Sequence, residues 1–107
     1  MTEKFFNAMG LSRRAKKLCI GHDEVKTSIR SGNAKLVIIA SDASERLEKE
    51  MSNLAAEIPV IRTDATMQEM GIYIGKKSGV FSVTDGGLKD LVLSTIKKED
   101  SIYGTGE

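Results

Sequence analysis

Gly21-His-Asp-Glu-Val-Lys-Thr-Ser-Ile-Arg-Ser-Gly-Asn-Ala-Lys-Leu-Val-Ile-Ile-Ala-Ser-Asp-Ala-Ser44 joins a charged helix start to a buried strand. A glycine followed by polar residues opens a helix expected over His22–Ser31, with Val25 and Ile29 at an i,i+4 spacing on its inner side. The first-turn N–H groups of such a helix have no intrahelical partners, so this end attracts anions or polar edges. Ser31-Gly32 stops the helix, because glycine takes the left-handed cap geometry without steric penalty. Leu36 to Ala40 is then apolar throughout, as a strand covered on both faces must be. A rigid sheet therefore holds the helix start in place.

Upstream, Phe5, Phe6, Met9, Ala15 and Leu18 form a helical stripe over Lys4–Leu18, with a bend expected at Gly10. Cys19 and Ile20 read as a very short extended link. Downstream, Asp42 and Glu45 have the spacing of a capping box, so a helix should start there and run with Leu47, Met51, Leu54 and Ile58 inward until Pro59. Val60–Arg62 reads as a short strand, and Thr66 with Glu69 repeats the capping-box spacing before a short helix over Met67–Tyr73. Val80–Val83 is a further strand, and Asp85 caps a last helix with Leu88, Leu91, Val92 and Ile96 on one face. Alternating helices and strands predict a three-layer α/β/α sandwich around a central mixed sheet, one domain over 1–97, followed by a polar, flexible tail over 98–107.

A chain of 107 residues suffices for one core and not for two. No stretch approaches the roughly 20 apolar residues of a membrane span, and a basic-then-apolar secretion signal is not seen, so a soluble cytoplasmic protein is expected. Cys19 is the only cysteine, which excludes an internal disulfide and a cysteine-based zinc site within one chain. The net charge of +1 conceals a gradient: residues 1–38 carry eight basic and three acidic groups, a balance of +5, and the remainder sums to −4. The basic third suits phosphate, although a pI of 7.8 lacks the strong basicity of a non-specific nucleic-acid binder.

Leu11-Ser-Arg-Arg-Ala-Lys-Lys-Leu, Gly21-His-Asp-Glu-Val, Ala34-Lys-Leu-Val-Ile-Ile-Ala-Ser-Asp-Ala, Met70-Gly-Ile-Tyr-Ile-Gly-Lys and Val80-Phe-Ser-Val-Thr-Asp occur in that order. Together they resemble the kink-turn RNA-binding ribosomal proteins of the L-seven-Ae family, and within it the bacterial YlxQ-like branch. The resemblance covers most of the chain and implies the same sandwich. It also implies a non-enzymatic, cofactor-free, monomeric protein of a bacterial cytoplasm that binds structured, kink-turn-like RNA and is associated with ribosomes or translation.

The family reads guanine edges with a Gly-x-Asn-Glu-x-x-Lys signature at the start of the second helix. Here Gly21 and Glu24 match, whereas Asp23 stands in place of asparagine and Thr27 in place of lysine. Glu24, an acceptor-only carboxylate, suits the N–H donors of guanine, which no phosphate supplies. Asp23 lacks the amide hydrogens of asparagine, and Thr27 is short and uncharged. The expected RNA-binding turn is thus Gly21, His22, Asp23, Glu24 and Thr27, with Lys26 reaching for phosphate. Arg14, Lys17 and Lys35 are candidates for backbone contacts. The resemblance adds the loop before the last strand, which in the family closes over a flipped-out base through apolar and backbone contacts; here it is Ile74 to Gly79, with Lys76, Lys77, Ser78 and Gly79 as candidates and the two lysines adding charge.

Other readings are weaker. Gly71-Ile-Tyr-Ile-Gly-Lys-Lys-Ser has three residues between its glycines, Lys77 at the required Ser/Thr position and a helix in front, so it fails as a phosphate-binding P-loop. Asp42 and Asp85 read as helix caps before they read as an acid/base pair. Tyr73 and Tyr103 are too few for a base-stacking platform. Two alternatives stay open: a small flavodoxin-like domain with a functional Asp42, and a protein–protein module on the same sandwich. No membrane or small-molecule partner is expected.

Overall fold

The structure, a computed structural model, describes residues 2–96, so the tail expected over 98–107, with Tyr103, lies outside the described residues. The elements run α1 (Glu3–Arg14), β1 (Leu18–Ile20), α2 (His22–Arg30), β2 (Leu36–Ile39), α3 (Glu45–Ala55), β3 (Val60–Arg62), α4 (Met67–Ile74), β4 (Val80–Val83) and α5 (Gly86–Thr95). The strands form a sheet in the order β1-β4-β2-β3. β4 is antiparallel to both β1 and β2, whereas β2 and β3 are parallel. A mixed sheet of this kind departs from the all-parallel flavodoxin-like arrangement.

Both faces of the sheet are covered, and each cover has its own core. Phe5, Phe6 and Met9 of α1, Met70 and Ile74 of α4, and Val92 of α5 pack on Leu36, Ile38, Phe81 and Val83. Val25 and Ile29 of α2 with Met51 and Ala55 of α3 pack on Val37, Ile39 and Val80. β2 and β4 are therefore buried at every position. Alternate residues of β2 feed opposite cores, which explains its uninterrupted apolar sequence.

Several local expectations are corrected. α1 passes through Gly10 without a break and ends at Arg14, well before Leu18, because Lys16 adopts a left-handed backbone (φ 62°). Cys19 and Ile20 are not a mere link; with Leu18 they pair as a true edge strand against β4. Asp42 does not cap α3. Ser44 does, accepting from Leu47 N–H at 3.1 Å, while Asp42 Oδ1 reaches across to the Met67 N–H of α4 at 2.9 Å. α3 stops at Ala55, and Ile58 joins the core from beyond the helix end. The Thr66–Glu69 capping box is present with both bonds formed. In α5, Leu91 is exposed, and Leu93 packs toward the core instead.

Among the described residues no helix is long and apolar enough to cross a membrane. The β2–α3 connection is held by Arg62, whose guanidinium donates to the carbonyls of Ala40, Ser41, Ala43 and Ser44 and to Glu48 at 2.6 Å.

Candidate nucleic-acid interface

The start of α2 is built on Gly21, whose backbone (φ 100°, ψ 162°) is closed to residues bearing a Cβ. That conformation turns the chain sharply out of β1 and into the helix. Gly21 N–H donates to Val80 O at 3.0 Å, tying the turn to the first residue of β4. Among the described residues no side chain caps α2, so its opening N–H groups have no side-chain acceptor there. Beneath the helix, Ser28 Oγ donates to Val25 O at 2.7 Å and so must accept from Ser82 Oγ, also at 2.7 Å. This buried hydroxyl pair fastens α2 to β4 and has no signature in the sequence.

Glu24 is exposed, and its Oε1 accepts from the Ile20 N–H at 3.1 Å, covering a donor of the edge strand. The second oxygen makes no hydrogen bond among the described residues. The carboxylate is thus oriented and still half free. It borders a groove of about 620 Å³ that also contains the expected residues Lys17, Asp23 and Thr27. Cys19 and Ser28 line it too, as do Lys16, Ser31, Asn33 and Thr84, which were missed by sequence reasoning. These last four come from the ends of α1, α2 and β4, and only the assembled sheet brings them together.

His22 and Lys26 belong to the other side of α2. His22 Nε2 lies 3.0 Å from Glu50 Oε1, and Lys26 Nζ lies 3.5 Å from Glu50 Oε2, so both are paired with α3. The expectation that Lys26 reaches for phosphate is therefore met by a competing carboxylate. The hydrogen bond to Glu50, then the one to Asp23, raises the His22 pKa above its ordinary value. The same His22 bond lowers that of Glu50.

The remaining expected residues fall into two groups. Lys76, Lys77, Ser78 and Gly79 lead into β4, at the end of the sheet where Gly21 meets Val80. Lys76 and Lys77 are exposed, whereas Ser78 both donates to and accepts from the Val80 backbone. Gly79 is packed so tightly that an added Cβ would lie 3.2 Å from that of Ala43. Lys35 stands at the start of β2, the opposite end of the sheet, with its N–H on Val83 O at 2.8 Å. Arg14 is exposed on the last turn of α1 and does not line the groove.

Comparison with known proteins identifies relatives over most of the chain. The family model described as ribosomal protein L7Ae/L30e/S12e/Gadd45 matches residues 3–92. The chain is 35% identical over 89 residues to the RNA-binding protein YlxQ of Enterococcus faecium, spanning 79% of this chain and 84% of that protein. It is 31% identical over 96 residues to the RNA-binding protein YlxQ of Bacillus subtilis (strain 168), spanning 87% and 95% of the two chains. A solved structure from Bacillus halodurans C, described as a protein with unknown function, superposes with a TM-score of 0.83 at 29% identity, covering 91% of this chain and all of that one. The chain belongs to the ribosomal protein L7Ae/L30e/S12e/Gadd45 family.

Proposed function

We propose that this protein is a non-enzymatic, cytoplasmic RNA-binding protein that recognises kink-turn or similarly bent RNA, in a role associated with ribosomes or translation. The observation that carries this reading is the exposed Glu24 carboxylate, oriented by the Ile20 N–H and set in a groove edged by Lys16 and Lys17. An acceptor-only carboxylate in an RNA site suits base N–H donors, which guanine presents and phosphate does not. The two lysines supply nearby the positive charge that Thr27 lacks. The names of the YlxQ relatives support RNA as the ligand class. The partner is structured RNA, bound by a monomer without cofactor or metal.

A gel-shift series tests this. Labelled kink-turn RNA and a straight duplex of equal length are compared in wild type and Glu24→Ala at two salt concentrations. The bent RNA should bind more tightly, and the variant should lose most of that preference, since one base-edge contact is worth about 1–3 kcal/mol. Equal affinity for both RNAs, with a steep salt dependence, would reduce the interaction to charge alone.

A second reading, a protein–protein module, draws on the opposite layer. There Ile72 is 65% and Tyr73 60% exposed, with Tyr73 stacked on Phe6 at 4.4 Å between ring centroids. Absence of binding to either RNA would favour it.

A further inference from the structure

The groove continues past the start of α2, and its far end is built from two helix termini of the same design. At the end of α1, Lys17 N–H bonds Ser12 O and Lys16 N–H bonds Arg13 O, both at 2.9 Å. At the end of α2, Asn33 N–H bonds Ser28 O at 2.9 Å and Gly32 N–H bonds Ile29 O at 3.1 Å. In both motifs the penultimate residue is left-handed, a place that glycine fills most easily. Gly32 fills it in α2 (φ 83°), but Lys16 fills it in α1 (φ 62°). A lysine therefore stands at the groove where glycine is the more stable choice, and backbone strain of this kind clusters at functional sites.

The surrounding chemistry is specific. Among the described residues, the side chains of Lys16, Lys17 and Asn33 make no hydrogen bond or ion pair. Ser31 Oγ donates to Ser28 O and Thr84 Oγ1 donates to Lys17 O, so each hydroxyl oxygen keeps lone pairs for an incoming donor. The carboxyl end of α2 carries the negative end of the helix dipole, which favours hydroxyl protons over phosphate. Phosphate is left to the two lysines. Glu24 and Ser31, seven positions apart on α2 and its cap, both line the groove and lie about 10 Å apart along the helix axis. The far end thus lies within reach of nucleotides neighbouring the base at Glu24.

We propose that this end of the groove is a second RNA subsite, a ribose-phosphate clamp at the opposite end of the groove from Glu24. In it Lys16 and Lys17 hold phosphates while the Asn33 carboxamide hydrogen-bonds a 2′-hydroxyl. The clamp rests on the RNA-binding reading above and extends it. A carboxamide both donates and accepts, as a 2′-hydroxyl does, and DNA has no such group.

The test scans single 2′-deoxy substitutions over the nucleotides on both sides of the tandem G·A pairs of a kink-turn RNA. It uses wild type, Asn33→Ala and the double variant Lys16→Ala/Lys17→Ala, with thermal melts to verify folding. One deoxy substitution should weaken wild-type binding about three- to tenfold and leave Asn33→Ala unaffected, as expected for a lost hydrogen bond. The double lysine variant should lower the slope of log affinity against log salt by between about one and two. Lys16→Gly should raise the melting temperature while weakening RNA binding. A deoxy effect equal in wild type and Asn33→Ala, or none anywhere, with Glu24→Ala still impaired, overturns the clamp alone. Failure of wild type to bind kink-turn RNA at all overturns both the clamp and the reading beneath it.

Discussion

Glu24 serves two partners, and the two are separable. Its Oε1 holds the Ile20 N–H, and its remaining oxygen is available to a ligand. Glu24→Gln retains an oxygen for Ile20 but brings an amide N–H₂ toward guanine donors. We predict stability within about 0.5 kcal/mol of wild type by urea unfolding, and at least a tenfold loss of kink-turn affinity. Beside it, His22 and Glu50 make a pH-dependent link between α2 and α3. The contribution of His22, whose folded pKa is raised, is complete below about pH 6.5 and is lost as pH rises through the folded value. That of Glu50, whose folded pKa is lowered, is present above about pH 4.5 and is lost as pH falls through its folded value. Both are present together between those limits. The imidazole signal of His22 in an NMR titration should have its midpoint above 6.5 and move toward 6.5 in Glu50→Gln. A wild-type midpoint at or below 6.5 contradicts the link.

Helix ends show where sequence reading succeeds and where it stops. The Thr66–Glu69 box and the Asp85 cap were legible because donor and acceptor lie three residues apart. The bond from Met67 N–H to Asp42 was not, since its partners are 25 residues apart and meet only in the folded chain. The end of α1 was misread because its left-handed residue is a lysine, and no glycine marks the stop. Gly75, by contrast, is demanded twice over. Its φ of 95° is left-handed, and an added Cβ would lie 2.5 Å from Arg13 Nη1, which donates to the Ile74 carbonyl at 2.7 Å. Gly75→Ala should destabilise by about 1–2 kcal/mol from backbone strain, read as a lower urea midpoint with unchanged slope. An unchanged midpoint would mean that α4 ends without this constraint.

The layered architecture follows from the alternation of elements, but the strand order does not. β4, last in sequence, inserts between β1 and β2, and periodicity says nothing about which neighbour a buried strand chooses. That insertion builds the interface: it sets Thr84 beside Lys17 and anchors α2 through Ser82. The turn at Gly21 to Glu24 could be named from residues and resemblance, whereas the far wall of the groove at Lys16, Asn33 and Thr84 exists only after assembly. Phe81, fully buried at the centre of the sheet, bears much of this arrangement. Phe81→Ala should cost about 3–5 kcal/mol in equilibrium unfolding, a large fraction of the stability of such a domain.

The contact between Glu24 and guanine can be isolated by a double-mutant cycle in which inosine replaces each guanine of the tandem G·A pairs, removing only the exocyclic amine. One inosine should weaken wild-type binding about tenfold and have no further effect on Glu24→Ala, giving a coupling of about 1–3 kcal/mol. Additive losses, with the inosine penalty undiminished in the variant, would contradict a carboxylate that reads a base edge.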